Sequence, residues 1–318
     1  MKAGGTSGGA TARRGYLPAD VLLLVFLSIT AFLLVVSPLS FPGKVGYATL
    51  HVALLVAVAL VRFVPRDGPP VVRFLRHFFP LLSLPFLYRS MQYLNRLTTT
   101  GYFDNWIASL EQAVFASQPS QGFHLALPWM PLSEFLHLLY VVYLLLVPAI
   151  ALPLFFSRRN ADLALFTTSL MATFLFCYTI FTFFPVRGPY YYFGPIDPAA
   201  KGVLFPRLVH WILDGASSAG TAFPSSHVAA ATCIWLVGRR LYPRIGWALL
   251  VVAGGILFAT VYGGFHYALD ALVGLPVGVA GGLGGPRLHA WILQRQGLGV
   301  RASAPAASAE EERAAAAS

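Results

Sequence analysis

Long apolar stretches, separated by short polar segments, follow one another along most of the chain. We identify eight of them, at residues 17–39, 46–64, 71–94, 133–156, 162–184, 222–238, 244–262 and 266–293. Each is close to the ~20 residues that a helix needs to cross the hydrocarbon core of a bilayer. The pattern predicts an all-α fold, a polytopic membrane bundle of about eight transmembrane helices.

The polar segments divide the chain further. Residues 1–16 and 299–318 are rich in small and polar residues and predict disordered cytoplasmic tails. Residues 17–66 form a predicted N-terminal transmembrane hairpin, and residues 70–293 form the main membrane domain. Residues 102–131 predict an interfacial helix followed by a loop. The other long connection is 185–221, and long connections are often functional.

Composition excludes several classes of protein. Hydrophobic residues make up 57% of the 318 positions and charged residues only 11%, against about 25% charged in soluble domains. A soluble domain, a disordered chain and a disulfide-stapled secreted module are therefore excluded. Cys177 and Cys233 lie in apolar runs, where they act as small hydrophobic residues.

The net charge of +10 raises the question of nucleic-acid binding. The cations, however, form short clusters between apolar runs instead of a continuous basic stripe, so we predict no nucleic-acid partner. With eight spans, 16 of the 22 Lys and Arg fall on the side that holds both termini. The positive-inside rule then places both termini in the cytoplasm, and we expect a plasma (inner) membrane protein. The 185–221 segment and the turn at 262–266 face outward.

Three polar segments fall at the outward ends of these spans. They are residues 185–192, residues 223–227 (Phe-Pro-Ser-Ser-His) and residues 263–270 (Gly-Gly-Phe-His-Tyr-Ala-Leu-Asp). Because a span ends or begins at each of them on the same side, we expect all three to meet at one face. Their side chains suit phosphate chemistry, with no metal and no cofactor required.

Each segment contributes a different group. The start of span six offers free backbone N–H groups, to which the Ser225 and Ser226 hydroxyls add donors. Arg187 supplies a planar fork matched to phosphate oxygens. His266 and Asp270 are four residues apart and share a helix face, so the carboxylate can orient an imidazole that attacks phosphorus. His227 then acts as general acid, a role worth about 100- to 10,000-fold in rate.

Simpler interpretations apply to other polar residues. A tyrosine run at 190–192 is typical of an interfacial aromatic belt, although Tyr190 is also a candidate for substrate binding. Isolated histidines are more often hydrogen-bonded structural residues, an interpretation that fits His51, His77, His124, His210 and His289.

The motifs resemble those of the type 2 phosphatidic acid phosphatase superfamily, which includes the vanadium haloperoxidases. That family pairs a Pro-Ser-Gly-His motif with a Ser-Arg that is followed by His and, four residues later, Asp. Here residues 224–227 read Pro-Ser-Ser-His, and His266 precedes Asp270 by four. The resemblance implies that His266 is the nucleophile, that Asp270 supports it and that His227 is the general acid.

Two phosphate-binding cations of the family pattern are missing. The family also has an earlier motif, in which a Lys is followed seven residues later by Arg-Pro. Here Ile180 stands at the Lys position, seven residues before Arg187, and Ala259-Thr260 replaces the Ser-Arg that precedes the His and Asp. This reduced form is most similar to the inositol phosphorylceramide synthase, or aureobasidin-resistance, branch, whose members transfer a phospho-headgroup between lipids. We hypothesise that Arg89 or Arg96, at the outer end of span three, completes the site.

The sequence thus predicts a metal-independent lipid phosphatase or phosphotransferase that works through a phosphohistidine on the extracytoplasmic face. The substrate would be a phospholipid or a prenyl phosphate, and the acceptor, water or an alcohol, is open. The alternative is a transporter or scaffold that has kept the fold without chemistry. Transporters usually place ionisable groups near mid-span, whereas the candidates here lie at helix ends, which favours the enzyme.

Overall fold

A computed structural model describes residues 14–196 and 202–297. The predicted tail at 299–318, and all but the last residues of the tail at 1–16, lie outside these ranges. Apart from one isolated bridge between Val186 and Thr221, the regular structure of the described residues is helical, which confirms the all-α prediction. The helices are α1 Pro18–Val36, α2 Lys44–Leu60, α3 Pro70–Leu94, α4 Asp104–Phe115, α5 Pro119–Ala126, α6 Met130–Phe156, α7 Asn160–Phe183, α8 Pro189–Tyr192, α9 Phe205–Ala216, α10 Ser226–Leu241, α11 Gly246–Tyr262 and α12 Ala268–Arg295.

Helices occupy all eight predicted spans, but in two cases their composition or length differs from that of a simple span. In the described part of the chain, six helices are long and apolar enough to cross a membrane, at Pro18–Val36, Lys44–Phe63, Met130–Phe156, Asn160–Phe183, Pro243–Tyr262 and Ala268–Arg295. The other two are α3, which carries buried Arg73 and Arg76, and α10, which has only 16 residues. The count of eight therefore stays a prediction.

Helix α10 lies at the centre of the bundle and packs against α7, α11 and α12. Its buried face contains the small residues Ala229, Ala230 and Ala231. Glycines of α12 face it, and a Cβ at Gly278 would collide with the backbone oxygen of Ala229. Small residues let two helix backbones approach closely. The close α10–α12 contact matters because His227 lies in the first turn of α10 and His266 lies two residues before α12. The sequence placed His266 on the same helix as Asp270, but the helix begins only at Ala268, after the turn at residues 263–266.

The predicted N-terminal hairpin is packed on the rest of the bundle. Helix α1 contacts α7 and α3, and Asp20 of α1 forms an ion pair of 2.7 Å with Arg76 of α3, with both side chains fully buried. Arg76 also donates to the Gly15 carbonyl at 2.7 Å. A charged pair in an apolar interior is retained only with good geometry, since each unpaired charge is costly.

The two long connections contain more helix than the sequence indicated. The segment predicted as one interfacial helix and a loop forms both α4 and α5, and the 185–221 connection contains α8 and α9. The start of α9 is held by Glu134 of α6, whose carboxylate accepts from the backbone N–H groups of Leu204 and Phe205 at 2.9 Å each. An acidic side chain at a helix N-terminus satisfies free N–H groups and favours the helix dipole.

Candidate active site

Backbone hydrogen bonds hold the three polar segments against one another. The Ala222 N–H donates to the Val186 carbonyl at 2.9 Å, which joins the end of α7 to the segment before α10. The Ser225 N–H donates to the Asp270 carbonyl at 2.9 Å, which joins the starts of α10 and α12. The structure therefore brings residues 185–192, 223–227 and 263–270 to the same end of the bundle.

The three predicted catalytic side chains form a continuous chain of contacts. Nδ1 of His266 lies 3.4 Å from Oδ2 of Asp270, and Nε2 of His266 lies 3.3 Å from Nδ1 of His227. Asp270 and His266 are buried. The Tyr267 N–H donates to the same Asp270 oxygen at 2.9 Å, so the carboxylate is fixed by the backbone of its own helix start. A carboxylate in this position favours the His266 tautomer with its proton on Nδ1 and a lone pair on Nε2.

Tyr140 is a member of this chain of contacts that the sequence did not reveal. Its hydroxyl lies 3.0 Å from Nε2 of His227, on the side of the ring away from His266. Tyr140 comes from the middle of α6, where an isolated tyrosine in an apolar span gave no signal. With its proton on Nδ1, a neutral His227 accepts from Tyr140 and donates towards His266.

Arg187 is positioned by Asp104, the first residue of α4. The Asp104 carboxylate accepts from the backbone N–H groups of Arg187 and Gly188 at 3.0 Å each, and it lies 3.5 Å from the Arg187 Nε. The guanidinium is 36% exposed and lies 5.0 Å from the centroid of the Tyr102 ring. Arg187 lines the same pocket as His227 and His266, so its remaining N–H groups are available to a ligand there.

Glu111, also from α4, caps the helix that carries Asp270. Its Oε1 accepts from the Ala268 N–H at 2.5 Å and from the Leu269 N–H at 3.3 Å. Desolvation of the buried side chain raises the pKa of Glu111 to about 7, although the two N–H groups oppose that shift. The acidic residues of the interfacial segment were visible in the sequence, but their contacts with residues 187 and 268 were not.

Of the other residues predicted to bind the substrate, two line the cavities at the histidines and one does not. Tyr190 lines the histidine pocket, and its hydroxyl donates to Asp214 at 2.6 Å. Arg89 donates to the Ser217 carbonyl and lines an adjoining cavity. Arg96 points elsewhere, because its guanidinium donates to the side chain of Asn95 and to the carbonyls of Thr100 and Gly101.

The two serines of the Pro-Ser-Ser-His motif also have different surroundings. The Ser225 hydroxyl accepts from the Val228 N–H at 3.4 Å and serves as the N-cap of α10. Ser226 lines the adjoining cavity with His227. The cap uses an acceptor site of the Ser225 oxygen, and its O–H can still donate to a phosphate, as the sequence predicted. Among residues 14–196 and 202–297, no group of three or more His, Cys, Asp or Glu side chains is arranged to hold a metal ion.

The adjoining cavity is large and mainly apolar. Its volume is about 530 Å³, and Leu81, Leu84, Val147, Phe174 and Ile212 contribute to its wall. It shares Tyr88, Tyr140, Leu213, Ser217 and His227 with the histidine pocket. The pocket that holds both histidines therefore opens directly into a hydrophobic space.

Comparisons with known proteins identify the family of this chain. Residues 105–283 match the model of the PAP2 superfamily, the type 2 phosphatidic acid phosphatases. The chain is similar to a PA-phosphatase related-family protein of Dictyostelium discoideum, with 30% identity over 120 residues, or 36% of this chain and 22% of that protein. No solved structure matches. Because the family model covers more than half of the sequence, including His227, His266 and Asp270, the chain belongs to the PAP2 superfamily.

Proposed function

We propose that this chain is an integral membrane phosphatase or phosphotransferase that acts on a lipid headgroup through a phosphohistidine on His266. The observation that carries the proposal is the chain of contacts Asp270–His266–His227, with Arg187 on the wall of the same pocket. A positioned carboxylate, a nucleophilic imidazole, a second imidazole and a guanidinium are sufficient for metal-independent phosphoryl transfer.

In the first step, Nε2 of His266 attacks phosphorus, an N–P bond forms and the ester P–O bond breaks. His227, protonated on both ring nitrogens, gives its Nδ1 proton to the leaving oxygen, while Asp270 stabilises the charge that develops on His266. The 3.3 Å contact between the two rings leaves no room for phosphorus between them. Binding of the substrate must therefore separate His227 from His266.

In the second step, water or an alcohol attacks the phosphohistidine. His227, now neutral, takes the proton of the attacking hydroxyl, the P–N bond breaks and His266 is regenerated. Water as acceptor gives a phosphatase, and an alcohol gives a headgroup transferase. The likeness of the motifs to the inositol phosphorylceramide synthase branch supports an alcohol as the acceptor, and therefore a headgroup transferase.

The apolar cavity supports a lipid as substrate. A phospholipid or prenyl phosphate has a hydrocarbon chain next to its reacting phosphate. The apolar cavity of about 530 Å³ is lined in part by His227, so it can hold that chain while the phosphate lies at the histidines. Burial of apolar chain in such a space contributes about 25 cal/mol per Å². The distribution of Lys and Arg supports an extracytoplasmic site with both termini in the cytoplasm.

The experiment is to assay detergent-purified protein, with EDTA present, on phosphatidic acid, a prenyl diphosphate and phosphatidylinositol, with and without an added alcohol acceptor. Release of free phosphate identifies a phosphatase, and transfer to the alcohol identifies a transferase. Either activity is expected to disappear in His266→Ala and to persist in His289→Ala, a control at a buried histidine farther along α12. Absence of His266-dependent turnover on all three lipids would support a non-catalytic transporter or scaffold instead.

The cation that replaces the missing family Lys and Arg can be identified by three substitutions. Arg187→Ala is expected to lower kcat/KM about 100-fold, because one charged donor at a developing oxyanion is lost. Arg89→Ala should have a smaller effect that depends on the lipid chain, and Arg96→Ala should have almost none, since its N–H groups bind the 95–101 segment. A larger loss in Arg96→Ala than in Arg187→Ala would contradict this assignment.

A further inference from the structure

Another cleft, whose mainly apolar lining includes two arginines, lies at the end of α10 that is remote from the histidines. It has a volume of about 370 Å³ and is formed between the end of α10 and the start of α11. We call it the basic cleft. Its lining includes Trp235, Arg239, Arg240, Gly246, Trp247 and Leu250. At about 1.5 Å per residue, the twelve positions from residue 227 to residue 239 place it roughly 18 Å along the helix from the active site.

Two arginines of this cleft have no acidic partner in the part of the chain that the structure describes. Arg239 and Arg240 are exposed, and in the described ranges no carboxylate forms an ion pair with either. The carboxylate of Asp162 is already paired with Arg159 at 2.8 Å, and Arg159 in turn donates to the Leu241 carbonyl. The Arg239 guanidinium lies 5.4 Å from the Trp235 ring centroid. Within residues 14–196 and 202–297, two adjacent positive charges thus have no carboxylate to neutralise them.

The apolar part of the cleft determines what kind of anion fits. Trp247 is 80% exposed and stands near the beginning of the candidate span Pro243–Tyr262, the depth at which tryptophan marks a membrane interface. Leu250 continues the wall one turn deeper along the same span. Gly246 has no side chain to fill the space, and a Cβ there would lie 3.1 Å from the Cβ of Arg239.

We infer that the basic cleft binds one anionic phospholipid. The lipid phosphate contacts the guanidinium groups of Arg239 and Arg240, and the glycerol backbone and first methylenes lie against Trp247 and Leu250. Basic pockets between helices at a membrane surface recognise anionic headgroups in this way. The site is separate from the histidine pocket, so its occupant is a bound lipid and not the substrate.

The test is native mass spectrometry of the full chain in detergent, titrated with phosphatidylglycerol or with phosphatidylcholine of the same acyl chains. Wild type is expected to bind one phosphatidylglycerol in preference to phosphatidylcholine. The double variant Arg239→Gln/Arg240→Gln is expected to bind that lipid about 30-fold more weakly, because ~1 kcal/mol is lost for each of the two cations. The matched control Arg287→Gln/Arg295→Gln removes two exposed charges from α12 and should leave the affinity nearly unchanged.

Equal loss of affinity in the two double variants would show a general charge effect and overturn the proposal. Equal binding of the two lipids, or displacement of phosphatidylglycerol by soluble glycerol phosphate, would overturn it as well. Trp247→Ala keeps both charges and should also weaken lipid binding, so it preserves the test if the arginine double variant does not fold. Full lipid binding by a folded Trp247→Ala would contradict the inferred contact between the lipid and Trp247.

Discussion

In the proposed mechanism the imidazole of His227 serves in two protonation states, and Tyr140 is a partner that suits both. A tyrosine hydroxyl can donate to the unprotonated nitrogen of a neutral ring or accept from the N–H of a charged one. The 3.0 Å contact on Nε2 leaves Nδ1 directed at the reacting side. We therefore propose that Tyr140 is a positioning residue, since its hydroxyl contacts the ring nitrogen of His227 that is remote from His266.

Tyr140→Phe is expected to lower kcat about tenfold, with little change in KM, because general-acid transfer depends on orientation of the ring. The alkaline limb of the pH–rate profile should move, since Tyr140 affects how readily His227 holds its proton. The matched control is Tyr143→Phe, whose ring packs on the same imidazole at a centroid distance of 5.0 Å. A variant with unchanged kcat and pH profile would show that Tyr140 only fills space.

At the scale of elements, the approach of α10 to α12 sets the spacing of the motif histidines. Gly278→Ala is expected to destabilise the protein and reduce activity, because the new Cβ would meet the Ala229 carbonyl in backbone that cannot rotate away. Gly284→Ala is the control on the same helix, since a Cβ there meets open space. That change should be neutral or stabilise by about 0.5–1 kcal/mol. Thermal unfolding and turnover measure both, and equal behaviour of the two variants would contradict the packing argument.

Glu111 makes the stability of the α4–α12 junction depend on pH. Its pKa in the folded protein, about 7, is above the ordinary value of 4.5, so folding favours the protonated form. The stabilisation is complete below pH 4.5 and is lost as the pH rises through 7. Wild-type Tm should therefore fall between pH 5 and pH 8, and Glu111→Gln, which keeps an accepting oxygen, should remove that part of the dependence. An unchanged slope in Glu111→Gln would assign it to another group.

At the scale of the whole molecule, one buried ion pair joins the N-terminal hairpin to the remaining helices. Asp20→Ala is expected to destabilise the protein by about 3–5 kcal/mol, because it leaves Arg76 charged in an apolar interior. Asp162→Ala is the control, since its pair with Arg159 is 37% exposed at both ends and is worth about 0–1 kcal/mol. Chemical denaturation in detergent compares them. The double variant Asp20→Leu/Arg76→Met should recover much of the loss.

The sequence by itself determined where the helices lie and which segments hold the chemistry. Runs of about twenty apolar residues can satisfy their backbone in a bilayer only as helices, so the pattern alone predicted the all-α fold. The spacing of His266 and Asp270 predicted a shared helix face, but His266 lies two residues before α12 begins, and the two side chains meet across the start of that helix. Motif spacing also indicated the superfamily, which the family model confirmed over residues 105–283.

Only the tertiary structure decided which side chains complete the site. Tyr140 contacts His227, which is 87 positions away in the sequence, and Glu111 contacts Ala268, which is 157 positions away. Such contacts arise from the docking of helices and leave no local pattern in the sequence. For the same reason the chain could not show that Ser225 caps its own helix or that Arg96 binds the segment beside it. Periodicity specifies elements, whereas the pairing of distant polar groups is fixed by how those elements pack.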